Sequence, residues 1–222
     1  MACAQRLLQR LLDNLPRAFN IVCGDNLYMN PGFCKLALEH GKHVIVVLKN
    51  ENRDLLKDAR GLFDRQAPCR HRRKKTLYWC WDLEGFTSWE RIENPVRVVR
   101  SLETKCIPGG RTGQEETVRP EWVWVTTLPQ RTASTGTIVR LGHGRWAIEN
   151  YGFNELANQW HAGQVYKHAP NALLVLWLLV CLAYNLFHTF LSRNVKPVLR
   201  ARHSAIYFAQ FLAANLRVFT FP

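Results

Sequence analysis

The apolar positions change their period along the chain, and each change marks an element. In "MACAQRLLQRLLDNLPRAFN" the leucines Leu7, Leu8, Leu11, Leu12 and Leu15 recur at helical spacing with Gln and Arg between them. That predicts an amphipathic helix and lacks the unbroken apolar core of a signal peptide. "FNIVC" then reads as a buried strand, "NPGFCKLALEHG" as a helix closed by Gly41, and "HVIVVLK" at 43–49 as a second strand. The near-continuous Val and Ile of that second strand suit the middle of a sheet covered on both faces. Helix, strand, helix, strand is the arithmetic of an α/β domain.

"RDLLKDARGLF" predicts one more helix, and beyond it the texture changes. "DRQAPCRHRRKKTLYWCWDLEGFTSWERI" and "NPVRVVRSLETK" show alternation, aromatics and turn residues, "IPGGRTGQEET" reads as a Gly-rich loop or hairpin connection, and "EWVWVTTLP" returns as a strand. From "TASTGTIVRLGHGRWAIENYGFNELANQW" onward the pattern is helical almost to the end. The expected organisation is therefore an α/β part over residues 1–69, a β-rich insertion over 70–128 and a helical part over 129–222. No internal repeat or low-complexity linker interrupts it.

"NALLVLWLLVCLAYNLFHTFL" at 171–191 is the one stretch that raises a membrane span. Its uninterrupted apolar run goes from Ala172 to Tyr184 before Asn185 and His188 break it, which is short of the ~20 residues a bilayer needs. A buried core helix is the expectation, and the final "FAQFLAANLRVFTFP" is expected to pack back on the core.

Composition adds a partner. The net charge is +13 with a sequence pI near 9.8, a balance that points to a polyanion such as nucleic acid. "RHRRKK" at 70–75 is the densest positive cluster, so Arg70, Arg72, Arg73, Lys74 and Lys75 are the candidate DNA-binding residues, with Trp79 and Trp81 just after them. A solvated basic loop is the competing reading of that run. Trp79, Trp81, Trp89, Trp122 and Trp124 are expected mostly in the core of the inserted lobe. The seven cysteines form no CxxC pair and read as reduced thiols of a cytoplasmic protein.

Two carboxylates carry the candidate chemistry. "GDNLYMNPGF" places Asp25 where a hydrophobic strand ends, a position that serves equally a helix cap and a catalytic acid. "GHGRWAIENYGFNELANQW" supplies Glu149, four residues after Arg145, so that on a helix the two share a face that Phe153 continues. Trp146 and Ile148 suggest that this helix is packed, and His143, two residues before Arg145, reads as incidental. An acid near a core, a guanidinium one turn away and another acid at a strand end can hold Mg²⁺ against a phosphate; an ordinary surface ion pair is the alternative.

"GDNLY" after an apolar strand, a β-rich insertion, and then "GRWAIEN" with "FNELANQW" resemble the bacterial insertion-sequence transposases of the DDE class, over roughly residues 5 to 192. The resemblance implies an RNase H-like α/β catalytic core with an inserted β-rich subdomain and C-terminal helices. It implies Asp25 as the second acid of the triad, Glu149 as the third and Arg145 as the Arg of the family's Tyr-x-x-Arg-x-x-x-Glu pattern. A Mg²⁺ or Mn²⁺ site with a complete triad would activate water to nick DNA and direct the freed 3′-hydroxyl at a target.

This chain departs from the pattern. The family's Tyr falls at Gly142 and its Lys at about Leu156 or Ala157, and no Asp precedes Asp13, which sits on the Leu-rich helix. The expectation is an N-terminally truncated transposase, the carboxy-terminal part of the catalytic domain. It would bind the double-stranded DNA of transposon ends and target, and hold metal only with a complete triad. It would act as a homodimer or beside a complementing N-terminal fragment, with no membrane involved. A non-catalytic DNA-binding module and a small membrane protein are the alternatives.

Overall fold

The computed structural model describes residues 1–49, 54–73, 75–89, 92–108, 115–164 and 168–218. The chain divides into two compact units, Met1–Trp146 and Ala147–Pro222.

The first unit is built on one sheet. Helix α1 (Ala2–Asn14) is followed by β1 (Ile21–Gly24), α2 (Pro31–Glu39), β2 (His43–Val47) and α3 (Asp54–Phe63). Strands β3 (Cys69–Arg73), β4 (Thr76–Phe86), β5 (Val96–Pro108), β6 (Glu115–Val118) and β7 (Glu121–Thr126) come next, then helix α4 (Thr135–Gly144). The strand order is β1-β2-β7-β5-β4-β3, with β6 paired to β5. Strands β1 and β2 run parallel and every other pairing is antiparallel. The strands of the β-rich stretch thus extend the α/β sheet through the β2–β7 pairing. The residues 109–114 that join β5 to β6, the core of the Gly-rich connection, lie outside the described residues, as does Lys74.

The period of two in each strand sorts the core onto two faces. On one face Val44, Val46, Val96, Val98, Val123 and Val125 pack with Leu8 and Leu12 of α1, Phe33 and Ala37 of α2, and Leu55, Leu56 and Phe63 of α3. On the other, Ile45, Val47, Val99 and Trp124 meet Ile138 and Val139 of α4. Strand β2 is therefore covered on both sides, as its unbroken Val and Ile require. Each fully buried Val, Leu, Ile or Phe contributes about 1.5–3 kcal/mol.

Local chemistry sets the helix starts. Asn30 accepts from the Phe33 amide at 3.2 Å and Pro31 occupies the first helical position of α2. Ser134 caps α4 by accepting from the Thr137 amide at 3.3 Å. Gly41 ends the α2 connection at φ 66°, a conformation that side-chain-bearing residues avoid.

The second unit is helical. A π-helix (Ile148–Phe153) leads into α5 (Asn154–Asn158), α6 (Pro170–Asn194), α7 (Pro197–Arg202) and α8 (Ala205–Val218). Glu155 pairs with His188 at 2.9 Å, and Trp160 packs edge-on against Tyr184 and Phe187, which fixes the start of this unit to α6. Helix α6 corrects the expectation of a buried core helix. Of its residues Leu191 is buried, while Leu174, Val175, Leu178, Leu179, Leu182 and Leu186 are each more than half exposed. Within this unit α5 and α7 are short, with 5 and 6 residues, and the 14-residue α8 meets the end of α6 near Phe190 and Asn194, so most of a 25-residue helix that is apolar all round stays uncovered. By length and composition α6 is also long and apolar enough to cross a membrane.

Candidate functional site

Asp25 stands directly after Gly24, the last residue of β1. Its Oδ1 accepts from the Leu27 amide at 2.9 Å, so it caps the 3₁₀ turn Asn26–Tyr28. The capping reading of the sequence is thus realised by one oxygen. Oδ2 takes no hydrogen bond from the described residues, and the carboxylate is half-buried, so a second role stays open to it. Gly24 is needed here, because a Cβ would come within 2.7 Å of the Tyr28 Cβ.

Because β1 and β2 are parallel and Gly24 lies opposite Val46, Asp25 and Lys49 leave the sheet at the same end. Crevices outside the carboxyl ends of parallel strands are where α/β sheets bind ligands. A cleft of about 300 Å³ opens there beside β2, with Lys49, Arg60, Trp122 and Trp146 among its walls. The Lys49 ammonium sits 5.8 Å from the Trp146 ring centre and the Arg145 guanidinium 4.4 Å from it. Trp146 in turn meets Trp122 edge-on at 5.9 Å. The result is an aromatic-walled corner in which Lys49 and Arg60 stand with the Glu121 carboxylate; Asp25 does not line it.

Arg145 and Glu149 fall on differently wound segments. Helix α4 ends at Gly144, Arg145 follows it as a turn, and Glu149 lies in the π-helix Ile148–Phe153. A π-helix bonds i to i+5 in place of i to i+4. Ile148 is 61% exposed and Phe153 59%, so the expected packing around the pair rests on Trp146 alone. Asp25 and Arg145 belong to the first unit and Glu149, exposed, to the second.

The basic run forms edge strand β3, in register with β4. Arg70, Arg72, Arg73 and Lys75 are exposed. The pleat places Arg70 and Arg72 on the face of α3 and Arg73, with His71, on the face of α4. Of the five tryptophans expected in the core, Trp124 is fully buried and the other four are partly covered.

The face under α4 holds charged groups that the sequence reading passed over. Arg97, 2% exposed, donates from Nε and Nη2 to both carboxylate oxygens of Asp82 at 2.7 and 2.5 Å, and from Nη1 to the carbonyls of Ala133 and Leu128. Thr135 donates to Asp82 at 2.5 Å, joining the start of α4 to β4. Burial pushes the Asp82 carboxyl up, but the hydrogen bonds from Arg97, Thr135 and Gln130 outweigh it and hold it below its ordinary value. Glu103, 0% exposed, meets His143 Nε2 and Lys105 Nζ, each at 2.5 Å. Burial raises its carboxyl too, and the bonds from His143 and Lys105 again win, leaving it lowered. The signal was present as an alternation: Arg97, Val99, Ser101 and Glu103 fall on one face of β5.

Among the described residues no group of three His, Cys, Asp or Glu stands close enough to hold a metal ion. Mg²⁺ keeps several waters and is commonly held by one or two carboxylates together with phosphate oxygens, so a cluster of three is not required for it.

A family model described as a transposase DDE domain matches residues 4–186. No curated protein matches the chain.

Proposed function

This chain belongs to the DDE transposase family, whose work is DNA transposition and whose core is RNase H-like, and we propose that Asp25 and Glu149 are two of its three catalytic acids. The observation that carries this is Asp25 itself, a carboxylate at the carboxyl end of the parallel pair with one oxygen uncommitted. Glu149 takes the role of the helix-borne acid, and Arg145, stacked on Trp146, that of a guanidinium for phosphate oxygens. The family uses divalent metal ions; with these two acids alone the chain holds Mg²⁺ or Mn²⁺ weakly. Duplex DNA is the partner, drawn by the net charge of +13 and gripped through Arg70, Arg72, Arg73, Lys74 and Lys75.

The test mixes the protein with plasmid DNA and Mg²⁺, alone and with an upstream polypeptide that carries a strand-borne Asp. Nicking is expected only in the mixture and is abolished by Asp25→Asn or Glu149→Gln. Nicking by the 222 residues alone would show that the third acid lies within them. Unimpaired nicking by Glu149→Gln would remove that residue from the site.

A further inference from the structure

We propose that Glu103 and His143 form a positioning pair that clamps the last turn of α4 onto the sheet and so sets where Arg145 projects. The proposal rests on the reading of Arg145 as a phosphate contact.

Glu103 is a strand residue with no exposure to water, and burying a carboxylate costs several kcal/mol unless it is paired. An apolar residue in a well-packed strand would fold at least as well, so stability does not by itself account for a carboxylate here. What the carboxylate does is bind His143 Nε2 at 2.5 Å across the gap between β5 and α4. A hydrogen bond to a carboxylate is directional and stronger than one between neutral groups.

The imidazole is fixed by its surroundings as well as by its bond. Trp122 and Trp124 lie nearly parallel on β7, 6.2 Å apart, and each meets the His143 ring edge-on, at 5.3 and 5.1 Å. Gly142 lets the helix come this near, because a Cβ there would collide with the Trp124 indole. Lys105 pairs with the other Glu103 oxygen, while the first takes His143 together with a long bond from the Ser101 hydroxyl at 3.5 Å. The next residues after this clamp are Gly144, Arg145 and Trp146, and Trp146 rests on the same Trp122 that holds His143. The clamp and the Arg145–Trp146 stack therefore share a wall, and the stack loses its reference point when the clamp opens.

The test is a double-mutant cycle in duplex DNA affinity, read by fluorescence anisotropy. His143→Phe keeps a ring and removes the donor. It is expected to weaken binding roughly tenfold when Arg145 is present and by less than about twofold in an Arg145→Ala background. His143→Gln, which retains a donor toward Glu103, restores most of the affinity. Equal losses in both backgrounds would mean that His143 acts through stability alone, and the proposal falls. If Arg145→Ala leaves affinity unchanged, the phosphate role of Arg145 falls instead. Amide exchange over residues 143–147 then decides the clamp: faster exchange in His143→Phe upholds it, and unchanged exchange overturns it. Should His143→Phe fail to fold, Glu103→Gln, which preserves shape, carries the same comparisons.

Discussion

Removing the Asp82 carboxylate is the sharpest test of how α4 is tied down. Asp82→Leu leaves the Arg97 guanidinium, 2% exposed, with its carbonyl partners but no counter-ion. Stranding a buried charge in this way costs about 3–5 kcal/mol. With a urea slope of about 2 kcal/mol per molar, the unfolding midpoint should fall by roughly 1.5–2.5 M. Asp82→Leu combined with Arg97→Met removes both charges, leaving the Leu128 and Ala133 carbonyls without the Arg97 donor, and should recover at least about 1 kcal/mol of the loss. The assay is urea unfolding followed by intrinsic tryptophan fluorescence, to which Trp124, buried on the same face, contributes. A loss below about 1 kcal/mol for Asp82→Leu, or a double variant that costs the sum of the two single changes, would refute the idea of a coupled, water-excluded pair.

Acid titration extends the same reasoning. The carboxyls of Asp82 and Glu103 are lowered in the folded state, so their contribution is present above the unfolded carboxylate value of about 4 and is lost as pH falls through the lower folded values. The urea midpoint should drop below about pH 4, and less in the variant lacking Asp82 and Arg97; an identical acid profile would count against the pair. Burial pushes the Cys34 thiol up to about 12 and Cys80 up to about 11, whereas Cys3, Cys69 and Cys106 are exposed. Iodoacetamide should label those three first, and early labelling of Cys34 would contradict the packing of α2. Neutralising Arg70, Arg72 and Arg73 together should flatten the salt dependence of DNA binding by about 0.9 in slope for each lost phosphate contact. An unchanged slope would move the DNA off β3. Leu178→Lys with Leu182→Lys should raise the yield of protein soluble without detergent, since both side chains are exposed on α6; no change would mean that this face is already covered in solution.

Much of the fold was legible because its signals are local. The Val and Ile run of β2, the leucine spacing of α1 and the Asn30–Pro31 start of α2 each name their element without tertiary help. Asp25 was legible for the same reason, as an acid between a strand and a turn. The Glu103–His143 and Asp82–Arg97 pairs were not, since their partners lie 40 and 15 residues apart and meet only through strand pairing and helix docking. The π winding at Ile148–Phe153 was not legible, because the spacing of its residues reads the same as that of an ordinary helix. Exposure of α6 was hidden for a different reason: sequence reports how apolar a helix is, and burial depends on where its neighbours dock along it.

The wide turn at Ile148–Phe153 changes how spacing in this region can be compared between chains. A turn that bonds i to i+5 stores one residue more than an ordinary one, so everything beyond it is advanced by about 100° around the axis. A relative lacking that residue would count one position fewer from its acid to any cation downstream while placing the two groups alike in space. Deleting Gly152 would therefore be absorbed as a change of winding and not as a break. Length variation among such chains is then silent in shape, although a fixed-distance pattern search would score it as a loss.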